Sequence, residues 1–222
     1  QKVYDLSERA LPAELDLSMP TAEEMASHYL DRAETSLGIF AESDIAYMRE
    51  DGVERIADEV AARLESGRLL ALESEGTKLY ANPSFLSGLK RASREPKAYV
   101  LSPFDPLIID RKRSSRVFGR VYQLECYLPE KKRSFGYFVL TLLYCDASGD
   151  ARIVGRLDAK AERKLSLLSI KRLELDPPPE GERLAYAATI AEALARYAAF
   201  NEAASMELGR FDSPDGRLER SL

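Results

Sequence analysis

One pair of polar side chains in this sequence could position a water molecule for hydrolysis. Gln123 and Glu125 flank Leu124, and in an extended strand alternate side chains point to the same face. An amide beside a carboxylate can orient a water for attack on a bond. The same pair is common on any half-solvated strand, so a structural interpretation stands beside the catalytic one. Gln123 and Glu125 are the catalytic candidates that the sequence offers.

Other catalytic and metal-binding patterns are missing from the sequence. His28 is the single histidine, and a Ser/His/Asp arrangement would depend on it, although it falls within a predicted helix. The sequence contains no glycine-rich phosphate loop. The two cysteines, Cys126 and Cys145, lie in apolar stretches without the spacing of a zinc site. We predict neither a metal site nor a cofactor.

Two clusters of basic residues could contact the phosphates of nucleic acid. Arginine can bind two phosphate oxygens at once, and both clusters are predicted on exposed turns. The candidates are Arg111, Lys112, Arg113, Arg116, Lys131, Lys132 and Arg133. For either cluster alone, a solvated loop is the more common explanation. Their occurrence together in one basic segment makes DNA contact an equal alternative.

The distribution of charge supports DNA contact, although the chain as a whole has a formal net charge of −5. Residues 91–176 contain 18 Lys and Arg against 11 Asp and Glu, a net +7, whereas the segments on either side are acidic. A phosphate-binding surface depends on local charge. No run of about 18 apolar residues is present, so we predict a cytoplasmic protein without a membrane-spanning segment.

The elements that must position these residues begin with the pattern of a winged helix-turn-helix. Thr21 and Glu24 form a capping box that predicts a helix, and Gly38 is a plausible end for it. Two further helices and a β-hairpin are predicted over about 42–49, 53–66 and 69–81. The third helix contains four carboxylates against two arginines, so we expect it to serve as a scaffold and not to read DNA bases.

The basic segment has the pattern of an antiparallel sheet. Runs rich in β-branched and aromatic residues, separated by turns, predict a meander that closes into a small β-barrel. The runs are Val121–Leu128, Phe135–Cys145, Arg152–Asp158 and Leu165–Leu173. A helix is predicted at about 182–205, with a polar tail from Arg210 onward.

The predicted fold class is therefore α+β: a winged helix-turn-helix, a small antiparallel β-barrel and a C-terminal helix. The predicted domains are a lead-in at 1–20, the winged helix at 21–90, the barrel at 91–176, and a linker, helix and tail at 177–222.

Several motifs resemble the AlkZ-like (YcaQ-like) family of winged-helix DNA glycosylases. The segments that carry the resemblance are Lys2–Leu6 with Glu8-Arg9 and Leu11-Pro12, Leu101–Leu107 with Arg111 and Arg113, Tyr122–Pro129 with Lys132-Arg133 and Phe135–Leu140, and Val154–Arg163. The resemblance implies a bacterial protein of tandem winged helices and a C-terminal barrel around a channel for DNA. Such proteins excise alkylated or crosslinked bases by hydrolysing the N-glycosidic bond.

This sequence departs from the family pattern at the catalytic motif. Family members position their water with a Gln-x-Gln or Gln-x-Asp motif in the N-terminal half, whereas the only glutamines here are Gln1 and Gln123. The resemblance thus implies the C-terminal half of such a protein, with duplex DNA and the missing N-terminal winged-helix half as partners. Because the chain lacks the motif, whether it is an enzyme is left open.

Three functions are compatible with these observations. The first is a DNA-binding portion of a repair glycosylase that holds the duplex backbone through basic barrel turns. The second is a non-enzymatic regulatory or interaction module whose barrel binds a ligand or a protein. The third, ranked last, is an autonomous enzyme that uses Gln123 and Glu125.

Overall fold

The structure is a computed structural model and describes residues 2–89, 95–178 and 181–213. The chain divides into two compact units, residues 1–86 and 87–222. The predicted tail beyond position 213, positions 179 and 180 of the predicted linker, and the predicted domain boundary at 90/91 lie outside the described residues.

The first unit combines short helices with a small sheet. Its helices are α1 (Ser7–Ala10), α2 (Ala22–Ser36), α3 (Glu42–Ile45) and α4 (Ile56–Glu65), and α5 (Pro83–Leu89) contains the boundary to the second unit. The capping box predicted for α2 is confirmed: the Glu24 amide donates to Thr21 Oγ1 at 3.2 Å, and the Thr21 amide donates to the Glu24 carboxylate at 2.8 Å. Both interactions satisfy amides that a helix start leaves unpaired.

The sheet of the first unit has the strand order β1-β3-β2 and is antiparallel. Its strands are β1 (Ile39–Phe40), β2 (Leu70–Ser74) and β3 (Thr77–Ala81). Ser74 pairs with Thr77, so Glu75 and Gly76 form a two-residue turn, and both have positive φ angles of 49° and 73°. Positive φ at both positions matches the twist of a tight hairpin. The predicted hairpin is present.

An arginine is buried in the first unit where α4 packs against α2. Arg63 is 3% exposed and donates to Glu59 at 2.8 Å and to the backbone oxygen of Ser27 at 2.9 Å; it also contacts Glu34. Burial lowers the pKa of Arg63, but the hydrogen bonds to these carboxylates outweigh it and raise that pKa. Arg63 is therefore a cation that holds two helices together.

The second unit is built on a five-stranded sheet in the order β4-β5-β6-β7-β8. Its strands are β4 (Lys97–Leu101), β5 (Val139–Cys145), β6 (Ala151–Glu162), β7 (Leu167–Leu175) and β8 (Ser205–Asp212), and its helices are α6 (Arg111–Phe118) and α7 (Arg183–Phe200). The first four strands pair antiparallel, whereas β8 pairs with β7 in parallel. Helix α7 supplies the crossover that a parallel pair requires.

The predicted closed antiparallel β-barrel is wrong: the sheet of the second unit is open. Strands β4 and β8 are its two edges and do not pair with each other. The run Val121–Leu128 was predicted as a strand but lies outside the sheet. Strand β4 pairs directly with β5, so no strand from this run lies between them. Arg210, predicted to begin a polar tail, lies within β8. The fold is mixed α+β with an open sheet.

The core of the second unit lies between its sheet and α7. Tyr144 of β5 and Tyr186 of α7 are fully buried and meet edge to face with ring centroids 5.0 Å apart. Ile190 and Leu194 continue the buried side of α7. The larger core cluster therefore packs against α7, and a second, smaller cluster contains Leu101, Ile108, Leu143 and Ile153. Over the described part of the chain, none of the helices has the length and apolar character needed to cross a bilayer.

Candidate functional site

A cavity of about 290 Å³ lies beside the sheet of the second unit. It is bordered by the connection between α6 and β5 and by strands β5, β6 and β7. Its polar lining residues are Arg120, Tyr122, Gln123, Glu125, Ser134, Thr141, Arg156 and Glu174. Both catalytic candidates, Gln123 and Glu125, thus border one cavity, although they do not lie on a strand as expected.

Glu125 is buried, and its carboxylate is hydrogen-bonded to residues of the same α6–β5 connection. It is 4% exposed, and its carboxylate accepts hydrogen bonds from Ser134 Oγ, from the Phe135 amide at 2.9 Å and from the Gly136 amide at 3.2 Å. Burial raises the pKa of Glu125, but these hydrogen bonds outweigh it and bring that pKa below its ordinary value. Glu125 is therefore an ionised anchor for residues 134–136.

Gln123 is exposed, in contrast to Glu125. Its amide can both donate and accept a hydrogen bond at the rim of the cavity. Because the Glu125 carboxylate already serves three donors, the pair does not have the geometry of a free carboxylate beside an amide. Glu125 therefore has a structural role, and Gln123 is an exposed amide beside the cavity.

Tyr122 forms another part of the lining and is held from two sides. Its hydroxyl donates to the backbone oxygen of Val139 at 2.6 Å, and the Arg111 guanidinium lies 4.5 Å from its ring centroid. Burial raises the pKa of Tyr122 to about 12, although the charge of Arg111 acts in the opposite direction. Tyr122 is a neutral hydrogen-bond donor at neutral pH.

An aromatic ring that contacts two arginines lies beside the cavity. Arg156 and Arg172 place their guanidinium carbons 4.3 and 4.4 Å from the Phe135 ring centroid. Arg156 also binds Glu174 with two hydrogen bonds of 3.1 Å, and Arg172 binds Asp212 at 2.7 Å. These contacts fix the position of the connection against strands β6, β7 and β8.

The first basic cluster lies on helix α6 and not on a turn. Asp110 caps this helix by accepting from the Lys112 and Arg113 amides at 3.0 and 3.1 Å. Arg113 is 5% exposed, so its predicted place on an exposed turn is wrong: the helix turns its side chain inward. Arg111 donates to the backbone oxygens of Pro103 and Ile108 and is half-buried. Lys112 and Arg116 are the exposed members of the cluster.

The second basic cluster lies on a 3₁₀ turn over Glu130–Lys132 within the same connection. Lys131 and Lys132 are exposed. Arg133 is half-buried, donates to the backbone oxygen of Leu128 at 3.0 Å and stacks on Tyr137 at 4.8 Å. Among the described residues, no carboxylate forms an ion pair with Lys112, Lys131 or Lys132.

The structure adds cavity residues that the sequence did not suggest. Arg120 donates to Asp176 at 2.8 Å, and Thr141 is a buried polar residue on β5. With Arg156 and Glu174 they lie up to 54 positions apart, and no spacing rule connects them. Over the described parts of the chain, no cluster of three or more His, Cys, Asp or Glu side chains could hold a metal ion.

Comparisons with known proteins agree with the motifs. The structure is similar to Streptomyces sahachiroi DNA glycosylase AlkZ, with a TM-score of 0.50 and 14% sequence identity, over 87% of this chain and 47% of that chain. The chain therefore spans about half the length of that protein. The family model described as DNA glycosylase AlkZ-like matches residues 1–200, which confirms the resemblance. The chain belongs to the AlkZ-like DNA glycosylase family.

Proposed function

We propose that this chain binds double-stranded DNA as part of a DNA-repair glycosylase that acts on alkylated or crosslinked bases. The observation that carries the proposal is the set of exposed basic side chains Lys112, Arg116, Lys131 and Lys132 within the basic segment 91–176. Exposed lysines without a carboxylate partner keep their charge available for phosphates. Family membership supplies the repair context.

Three of the predicted phosphate contacts take other roles in this proposal. Arg113 is buried, and Arg111 and Arg133 are held by backbone oxygens and aromatic rings. An arginine that makes such contacts would have to break them, and lose their packing, in order to turn toward DNA. We therefore assign Arg111 and Arg133 to positioning the connection that presents Lys131 and Lys132.

We further propose that residues 21–90 form a winged helix that does not insert α4 into the major groove. The order α2, β1, α3, α4, β2, β3 supports the winged helix. Arg63 of α4 is buried, and Arg55 just before it is paired with Glu23 at 3.1 Å and Asp58 at 3.4 Å. The exposed charged residues within α4 are Asp58 and Glu65, and a negative surface opposes entry into DNA.

The proposed partner within the same protein is a preceding winged-helix half that carries the Gln-x-Gln or Gln-x-Asp motif. Its support is the coverage of 47% of the AlkZ structure, together with exposed apolar side chains in the lead-in. These are Val3, Tyr4, Leu6, Leu11, Leu15, Leu17 and Met19. We assign no hydrolytic step to Gln123 or Glu125. A ligand inside a barrel is not proposed, because the sheet is open.

Charge reversal at the second cluster tests DNA binding by this chain. The double variant Lys131→Glu/Lys132→Glu should weaken binding of a fluorescent 20-base-pair duplex at 50 mM salt by at least tenfold, whatever the duplex sequence. The matched control is Arg163→Glu/Lys164→Glu, which makes the same charge change at two exposed residues between β6 and β7. Equal weakening by both variants would mean that only net charge matters and would refute the proposed contact.

A further inference from the structure

The cavity of the second unit has the character of a binding site for a neutral polar ligand. Its charged lining residues balance: Arg120 and Arg156 are matched by Glu125 and Glu174. Arg156 is already bound to Glu174 through two hydrogen bonds, and Arg120 to Asp176. An anion would compete with these carboxylates, and a cation would find Glu125 occupied. A neutral ligand with both donors and acceptors is the best match.

Two polar residues of the lining could serve such a ligand, one of them exposed and the other with a buried hydroxyl. Gln123 presents an exposed amide at the rim, with one acceptor and two donor hydrogens. Thr141 is 2% exposed and lines the cavity, and its Oγ1 is buried without a hydrogen-bond partner among the described residues. A buried hydroxyl without a partner is unfavourable, and a bound polar group reached by rotation about χ1 would relieve it.

Size and shape narrow the class of ligand. A cavity of about 290 Å³ lies at the lower limit of small-ligand pockets, which span about 300–1,000 Å³. It has room for a one- or two-ring molecule but not for a chain of nucleotides. Arg120 and Arg156 both line the cavity, and a guanidinium group is a surface on which a flat ring can stack.

We propose that this cavity binds a neutral nucleobase-sized heterocycle, with Gln123 and Thr141 as its hydrogen-bonding residues. The base can come from two sources: a free base in solution, or a base extruded from a DNA strand. The choice of a nucleobase among flat heterocycles rests on the proposed DNA-binding function. The geometry of the cavity does not depend on that function.

The side chain of Gln123 is a selective reporter for this site. Because Gln1 and Gln123 are the only glutamines, glutamine-specific ¹⁵N labelling of the 222-residue chain gives two side-chain amide signals, which Gln123→Ala assigns. Adenine or cytosine should shift the Gln123 signal saturably at millimolar concentration. Inorganic phosphate and methylguanidinium should leave it in place. An unmoved signal with both bases, or an equal shift with phosphate, would overturn the proposal.

Affinities of variants test the assigned residues. In equilibrium dialysis with adenine, Gln123→Ala and Thr141→Val should each weaken binding about fivefold, the loss of one ordinary hydrogen bond. Unchanged affinity in both variants would refute the site. The matched control is Lys131→Glu/Lys132→Glu, which should retain adenine binding while it loses duplex binding. Adenine binding without any duplex binding refutes the proposed DNA-binding function alone, and the reverse result refutes only this inference.

DNA substrates distinguish the two sources of the base. A duplex with one bulged nucleotide that shifts the Gln123 signal, beside a fully paired duplex that does not, identifies an extruded base as ligand. A shift with free bases and with neither duplex identifies the free base. Equal shifts with both duplexes would mean that Gln123 contacts the backbone, which contradicts the proposal.

Discussion

Replacement of Glu125 by glutamine tests how the connection beside the cavity is held. The carboxylate accepts three hydrogen bonds while only 4% exposed, and each bond to a charged acceptor contributes about 1.5–3 kcal/mol. Glutamine keeps one oxygen for the Phe135 and Gly136 amides, and its amide group can donate to Ser134. What is lost is the charge assistance. We expect Glu125→Gln to lower the free energy of unfolding by about 2 kcal/mol at pH 7.

The pH dependence of this loss follows from the sign of the pKa shift. The pKa of Glu125 is lowered from 4.5 by its hydrogen bonds, in opposition to burial, which raises it. A lowered pKa stabilises the folded state above the ordinary value, and that stabilisation disappears as pH falls through the lowered pKa. The difference between wild type and Glu125→Gln should therefore be full at pH 7 and should shrink below about pH 4.5.

Hydrogen exchange and urea denaturation measure this prediction. Exchange of the Phe135 and Gly136 amides localises the effect, because these amides donate to the carboxylate. The matched control is Glu130→Gln, which removes an exposed carboxylate from the same connection and should change stability by less than about 0.5 kcal/mol. A Glu125→Gln variant as stable as the control, or a difference independent of pH, would refute the anchor role.

Three other substitutions test individual contacts. Gly155→Ala should cost about 3 kcal/mol in urea denaturation, because its Cβ would lie 2.2 Å from the Glu174 backbone oxygen. Gly88→Ala adds a Cβ that meets no atom outside its own helix within 4 Å, so it should be neutral or slightly stabilising, and equal losses would contradict this reasoning. Arg63→Met should cost about 2 kcal/mol in thermal denaturation, because it removes the charged hydrogen bonds to the partly buried carboxylates of Glu34 and Glu59; a neutral result would mean that the network contributes nothing. Tyr122→Phe should cost about 1 kcal/mol by the same assay, the hydrogen bond to Val139, and no change would refute that contribution.

Local patterns predicted the first unit well. The capping box at Thr21 and Glu24 needs only residues three positions apart, and the hairpin turn at Glu75 and Gly76 only adjacent ones. Helix α6 had comparable signs in Asp110 before the basic cluster and Gly119 after it, which are preferred cap residues. These cap residues predict a helix for the first basic cluster, and on a helix one side, here that of Arg113, can face inward.

Long-range pairing accounts for what the sequence did not reveal. The parallel pairing of β8 with β7 joins strands separated by α7, and no local pattern distinguishes it from a polar tail. With β8 paired to β7, strands β4 and β8 are the two edges of an open sheet. Strand patterns in the sequence do not distinguish such an open sheet from a closed barrel. The cavity likewise unites the 120–125 segment with three strands. Gln123 and Glu125 were identified from their types and spacing, but their unequal burial depends on the amides of Phe135 and Gly136.

The salt dependence of duplex binding tests the central claim most directly. Each phosphate contact contributes about 0.9 to the slope of log K against log salt concentration. Fluorescence anisotropy from 50 to 200 mM salt should show salt-sensitive binding by the wild-type chain. Lys112→Gln/Lys131→Gln/Lys132→Gln should reduce the magnitude of the slope by about 2.7, or three contacts. An unchanged slope in this variant, or no duplex binding by the wild type at 50 mM salt, would contradict DNA binding through these lysines.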